Sequence, residues 1–286
     1  MRAIDEATVL VTGATDGLGR QVAQDLAGMG ATVLVHGRDR GRADAVVSDI
    51  RDATGNDRAR SHLADLSSLD EVRALAREVE DSHDRLDVLI NNAGIGPGGR
   101  GDGGRAVSRD GHELRFAVNY LAGFLLTRLL LPLLERSAPA RVVNVASAGQ
   151  SAIDFDDVML ERRYDGMRAY AQSKLAQVMF TFELAERLEG TGVTATCLHP
   201  ATLMDTKMVT EAFGRARSSI REGADATVRL AAAPELAEVS GRYFEGLREA
   251  GAHHQAYDRE ARRRLWALSE QLCGLEPPAT AGAAGG

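Results

Sequence analysis

The feature that most constrains this chain is an alternation. Short β-branched runs, "TVLVTG" (8–13), "ATVLVHG" (31–37), "DVLINNAG" (87–94), "RVVNVAS" (141–147), "VTATCLHP" (193–200) and "GRYF" (241–244), are separated by longer amphipathic stretches such as "SLDEVRALAREVED". A weaker run, "ARSHLADL", lies between the second and third. Several runs are apolar throughout, as strands buried on both faces of a parallel sheet are. Strand, helix, strand repeated in this way predicts an α/β fold, a doubly wound parallel sheet of about seven strands. No linker interrupts the pattern, so one domain is expected over 1–275, with the Pro/Ala/Gly-rich residues 276–286 as a disordered tail.

The first turn, in "VLVTGATDGLGRQVA", joins a strand to a helix start through G-x-x-x-G-x-G. Glycine lets a ligand approach the backbone closely. The helix beginning near Leu18 would point free N–H groups and its positive end at an anionic pyrophosphate. Gly13, Thr15, Asp16, Gly17, Leu18 and Gly19 are therefore candidate cofactor contacts; the bland alternative is a turn used only for close helix–strand packing. The second strand ends "VLVHGRDR". NAD-binding folds tend to place an acid there for the ribose 2′-hydroxyl. Here Gly37 leaves space and Arg38 offers a guanidinium fork to a 2′-phosphate, which favours NADP(H), although Asp39 stands ready to pair with Arg38 or Arg40.

The chain has 34 Lys plus Arg, and only Lys174 and Lys207 are lysines. Lys174 follows Tyr170 by four positions, so the two share one face of a helix. A phenol of pKa near 10 is a poor acid–base group at neutral pH. Lowering it by 2 to 3 units takes roughly 3 to 4 kcal/mol, about what a unit charge ~4.5 Å away supplies at an effective dielectric near 20. A compact ammonium suits that task better than a guanidinium. In isolation the pair also reads as an ordinary surface contact.

Taken in order, "TGATDGLG", "NNAG" (91–94), "VNYLAGFLLT", "VVNVAS" and "YAQSK" resemble the short-chain dehydrogenase/reductase family, in its compact single-domain branch. Tyr170 lies 23 positions after Ser147, and this gap, with "RRLWALSEQLCGL" near the end, is similar to the retinol-dehydrogenase-like subgroup. The resemblance implies a Rossmann-type sheet and four candidate catalytic residues. Tyr170 would be the general acid–base and Ser147 would hold the substrate carbonyl oxygen. Lys174 would lower the Tyr170 pKa and bind the nicotinamide ribose, and Asn119 would fix a water in a relay to Lys174. It also implies that Asp65 and Leu66 flank the adenine, that Asn92, Ala93 and Gly94 line the cofactor cleft, and that Thr202 lies on the nicotinamide side. The sequence departs from the family at Pro200–Ala201, where Pro-Gly is usual, at Gly123, where a His is frequent, and in a longer loop after "NNAG". A homo-oligomer, dimer or tetramer, is the family's habit.

The segment "TLMDTKMVTEAFGRARSSI" (202–220) falls where the family places a lid. Leu203, Met204, Met208, Val209 and Phe213 would give it an apolar underside, pointing to a lipophilic ketone, aldehyde or secondary alcohol as substrate; the same spacing also suits plain core packing. His199 reads as a supporting histidine, since Tyr170 already fills the acid–base role. The loop 94–105, "GIGPGGRGDGGR", lacks a P-loop GK[ST] and reads as a flexible surface loop.

The remaining totals exclude function classes. A net charge of −7 argues against nucleic acid or an anionic membrane as partner. Cys197 and Cys273 lack zinc or disulfide spacing, and adjacent His253 and His254 lack supporting ligands, so no metal is expected and a reducing cytoplasm fits. "MRAIDEATVLVTG" is no signal peptide, and the chain starts at its first strand, so no membrane anchor is expected. The apolar "LAGFLLTRLLLPLL" is 14 residues with Arg128 inside, a buried helix rather than a span. Three uses remain open: an NADP(H)-dependent oxidoreductase, a non-redox cyclase or epimerase on the same fold, and a sensor of the nucleotide. The proton-handling set disfavours the sensor and separates the first two only weakly.

Overall fold

The computed structural model describes residues 3–98 and 104–275. The first half runs β1 (Thr8–Val11), α1 (Gly17–Gly28), β2 (Thr32–Gly37), α2 (Arg40–Thr54), β3 (Arg60–Leu63), α3 (Leu69–Ser82) and β4 (Val88–Asn91). Then come α4 (Leu114–Phe116), a π turn (Ala117–Leu121) and α5 (Ala122–Arg136), which together form one continuous helix. The second half runs β5 (Ala140–Val145), α6 (Gly166–Arg187), β6 (Val193–His199), α7 (Lys207–Phe213), α8 (Ile220–Ala232), β7 (Arg242–Glu245), β8 (Arg248–Glu249) and α9 (Arg259–Leu272).

All eight strands form one sheet in the order β3-β2-β1-β4-β5-β6-β7-β8, parallel except for β8. Each expected strand is present, the weaker "ARSHLADL" run included, as the edge strand β3. Strand order reverses between β1 and β4, and the crevice beyond their carboxyl ends is where ligands bind in open α/β sheets. Alternate side chains of β1 face opposite layers. Val9 and Val11 join Val22, Leu26 and Leu230 of α1 and α8, whereas Leu10 joins Leu75, Leu125 and Val178 of α3, α5 and α6. Burial on both faces is why these strands read as unbroken apolar runs.

Helix starts are set by side-chain caps: Asp39 accepts from the Arg42 amide, Asp165 from that of Arg168, and Ser219 and Glu222 form a reciprocal capping box. Among the described residues, Leu114–Arg136 is long and apolar enough to cross a membrane, but 67% of its most apolar window is buried, as befits a core helix. Helix α6 is buried on nearly every side because α9 lies over its outer face. There Trp266 packs edge-on to Phe124 and close to Phe180, with the guanidiniums of Arg128 and Arg187 stacked on it at 4.9 and 4.1 Å. The expected tail, 276–286, lies outside the described residues, as do residues 99–103 of the Gly-rich loop.

Candidate active site

The four residues expected to act together meet where β5, α6 and the π turn converge. Ser147 follows β5 and is 9% exposed. Its hydroxyl accepts from the Gly149 amide at 3.1 Å, and its carbonyl accepts from Gln150 Nε2 at 2.9 Å and the Tyr243 hydroxyl at 3.3 Å. The Tyr170 phenol faces the Ser147 side chain, which favours its ionised form. One helical turn on, Lys174 Nζ lies 5.8 Å from the centre of the Tyr170 ring.

The electrostatics depart from the expectation that Lys174 makes Tyr170 acidic. Burial raises the Tyr170 pKa above its ordinary value, the nearby Ser147 side chain pulling only partly against it. Lys174 is itself 4% exposed, and burial lowers its pKa to about 7. Its ammonium faces the Val145 carbonyl and Gln177 Oε1, each at 2.9 Å. The desolvation that brings the two groups together thus disfavours the charged form of both.

Asn119 sits inside the π turn, an irregularity often found at functional sites. Its Oδ1 accepts from the Ile95 amide at 2.7 Å, and its Nδ2 donates to the Ile95 carbonyl at 3.1 Å and to Ser173 Oγ at 3.0 Å. The side chain is spent on tying the loop after β4 to α6. Gly94 fits between the groups: a Cβ there would lie 3.2 Å from Asn119 Oδ1 and 3.6 Å from Lys174 Nζ.

The glycine turn is shaped by close packing. Gly13 has φ +64°, and a Cβ on Gly19 would fall 2.3 Å from the Gly13 carbonyl oxygen and 2.4 Å from Asn92 Nδ2. Asn92 Nδ2 bonds the Thr12 carbonyl at 2.8 Å, and Thr12 Oγ1 accepts from the amides of Asn92 and Ala93 at 2.9 and 3.0 Å. Within α1's first turn, the amides of Leu18 and Gly19 have no protein acceptor among the described residues, so an anion fits there. Asp16 caps Gly17 N at 2.8 Å and pairs with Arg42 at 2.9 Å, so its carboxylate shapes the turn.

Near the end of β2, the space expected beside Gly37 is filled: a Cβ there would meet the Thr15 methyl at 2.3 Å. Arg38 is exposed, and Asp39 is used as the α2 cap. Asp65 faces Arg38 and Arg109; burial pushes its carboxyl up, but the Ser67 hydrogen bonds and these two cations hold it below the usual range. Leu66 is buried beside Ala93 and Asn119 at the back of the cleft.

Thr202 is exposed and turns its hydroxyl to His199 Nε2 at 3.1 Å. Burial lowers the His199 pKa, and Lys174 adds to this against Glu245. The segment expected as a lid carries one helix. Helix α7 starts at the Thr206 cap, the Thr206 methyl would lie 3.3 Å from a Cβ on Gly17, and Met208 packs on Gly96. Val209 is buried, Leu203 and Met204 are half-buried, and the Phe213 side chain lies outside the described residues.

Sequence reasoning missed Thr206, Arg42, Thr12 and His36. The last is 3% exposed, accepts from Gly13 N at Nδ1 (3.1 Å) and donates from Nε2 to the Ala64 carbonyl (3.1 Å), and burial lowers its pKa to about 4. Its position directly before Gly37, level with the glycine turn, was the available signal.

Residues 7–216 match the family described as short chain dehydrogenase. Human retinol dehydrogenase 13 is 41% identical, over 95% of this chain and 86% of that protein. Retinol dehydrogenase 14 of Mus musculus is 39% identical, over 94% and 86%. Among solved structures, the Pseudomonas aeruginosa RhlG/NADP complex is 28% identical with a TM-score of 0.68, covering 86% of this chain and 97% of that one. A 7α-hydroxysteroid dehydrogenase holding NADH shares the fold at 23% identity, with a TM-score of 0.71 over 87% and 96%.

Proposed function

Because the chain belongs to the short-chain dehydrogenase family, an oxidoreductase family that uses NAD(P)(H), we propose that it is an NADP(H)-dependent enzyme of the carbonyl reductase type. Its substrate is a lipophilic aldehyde, ketone or secondary alcohol. The observation that carries this reading is the convergence of Ser147, Tyr170, Lys174 and Asn119 beside a glycine turn with open amides.

The residues present fit the cofactor. Leu18 and Gly19 amides would hold its pyrophosphate, Asp65 and Leu66 would flank its adenine, and Lys174 would bind its nicotinamide ribose. Bound nicotinamide supplies or accepts the hydride. Tyr170 moves the matching proton at the substrate oxygen, which Ser147 orients. Tyr170 carries the proton that carbonyl reduction needs at the substrate oxygen, and burial, which raises its pKa, opposes giving that proton up, so its release depends on charge brought into the cleft with cofactor and substrate. Lys174, poised near neutrality, takes part in returning the proton. Arg38 supports NADP(H) over NAD(H), the half-buried methionines of the lid support a lipophilic substrate, and two free, buried cysteines support a reducing cytoplasm.

The test is consumption of NADPH against NADH over a panel of lipophilic aldehydes and ketones, with Tyr170→Phe alongside. Consumption that prefers NADPH and vanishes in the variant is expected. Tight NADPH binding without consumption on any member would move the assignment to a non-redox role.

A further inference from the structure

One buried arginine has no place in the chemistry above. Arg115 is 7% exposed, on α4, one turn before Asn119. Its Nε donates to the Gly96 carbonyl at 2.9 Å and its Nη2 to the Pro97 carbonyl at 2.8 Å. Its Nη1 reaches the Tyr164 hydroxyl and lies 3.6 Å from Glu113 Oε1. Tyr164 in turn donates to Glu113 Oε1 at 3.1 Å, while Glu113 Oε2 caps the Phe116 amide at 2.7 Å. Glu113 is 1% exposed. The node is satisfied at every polar contact named here, which is what a buried ion pair needs if it is to hold one geometry.

What the node joins gives it meaning. Asn119 bonds both the amide and the carbonyl of Ile95, and Arg115 takes the next two carbonyls. Three successive residues of the loop after β4 are therefore held by two side chains four apart on one helix face. The same loop is the seat of the lid, since Met208 packs on Gly96. It is also the stop for α6, where a Cβ on Gly166 would fall 2.3 Å from the Pro97 carbonyl oxygen. Tyr164 lies two residues before α6 begins and Tyr170 four residues after.

We propose that Arg115, with Tyr164 and Glu113, is a positioning residue that sets the distance between the loop 95–97 and the start of α6, and so the placement of Tyr170 against the cofactor cleft. This rests on the oxidoreductase reading for its effect on turnover, but not for its effect on the loop. Arg115 acts through the Gly96 and Pro97 carbonyls and touches no reacting atom. Only a planar fork spans two adjacent carbonyls and a phenol at once, so lysine does not replace it.

The test compares Arg115→Lys, which keeps a cation beside Glu113, and Tyr164→Phe, which cuts the link to α6 and leaves the loop bonds. If Arg115→Lys fails to fold, the charge-neutral double variant Glu113→Gln/Arg115→Gln replaces it. Two readouts are taken. In the first, kcat falls ~10-fold or more with the cofactor KM within about twofold, and the acid–base limb of the kcat–pH profile shifts, as misplacement of a reacting group predicts. In the second, hydrogen exchange at 95–98 and at 166–169 rises together in Arg115→Lys, or in the double variant that replaces it, whether or not the protein turns over. Wild-type kcat in Arg115→Lys, or exchange that rises in only one segment or neither, overturns the proposal. Wild-type protein that never consumes a nicotinamide cofactor defeats the functional reading, and the exchange result then decides the positioning role alone.

Discussion

Lys174 gathers two bonds on one nitrogen, to the Val145 carbonyl and Gln177 Oε1, each at 2.9 Å. A guanidinium spreads its donors over three nitrogens and does not reproduce that geometry, so Lys174→Arg is expected to lower kcat about 100-fold despite keeping the charge, measured as turnover per cofactor-binding site; wild-type turnover would refute this account. His36 makes a different statement, about stability. Its folded pKa is depressed from 6.5 to about 4, so its contribution is fully present above 6.5 and lost as pH falls toward 4. At 1.36 kcal/mol per unit this is about 3 kcal/mol, and His62 and His83, also lowered, act in the same direction. Urea melts at pH 7 and pH 4.5 should show the loss, and His36→Asn should flatten it. Tyr170, Ser147 and Lys174 were legible because their spacing is itself the signal. Arg115 and His36 were not, since an arginine or histidine becomes buried only when distant loops fold over it.

The elements were legible wherever local pattern and tertiary need agree. The apolar runs became β1, β2, β4, β5 and β6 because burial on both faces demands such runs, while β3 and β7 are only partly buried. The two-residue β8 and the π turn were not legible: one is too short to carry a period, and the other is an extra residue in an otherwise ordinary helical pattern. The glycine turn was read correctly as a turn, but much of its glycine content serves packing. Gly19→Ala would drive a Cβ into the Gly13 carbonyl, so a stability loss of about 1–3 kcal/mol and at least tenfold weaker cofactor binding are expected, by thermal melt and fluorescence titration. Gly55, with φ +71° and nothing within 4 Å of a Cβ, is the control: Gly55→Asn keeps the left-handed C-cap and should leave both nearly unchanged. Ser219→Ala removes half of the α8 capping box and is expected to cost about 1 kcal/mol in the same melts.

At the scale of the molecule, α9 closes the structure by covering α6, whose residues Ala171 to Ala185 are all buried within the chain. If the protein self-associates, as its resemblance led us to expect, α6 is not the surface used. Hydrogen exchange in α6 should then be unchanged on dilution through the association range; a concentration-dependent rise there would show that α9 yields to a partner copy. The single domain was legible from the uninterrupted alternation, while the covering by α9 was not, because "RRLWALSEQL" says only that one face is apolar. Trp266, on that face, is the only tryptophan in the chain; it is 5% exposed, its indole nitrogen has no acceptor among the described residues, and two guanidiniums lie on its ring. The protein therefore carries a built-in optical reporter. Its emission should be short in wavelength and should move to the red when α9 lifts, so one wavelength reads the seating of a single helix.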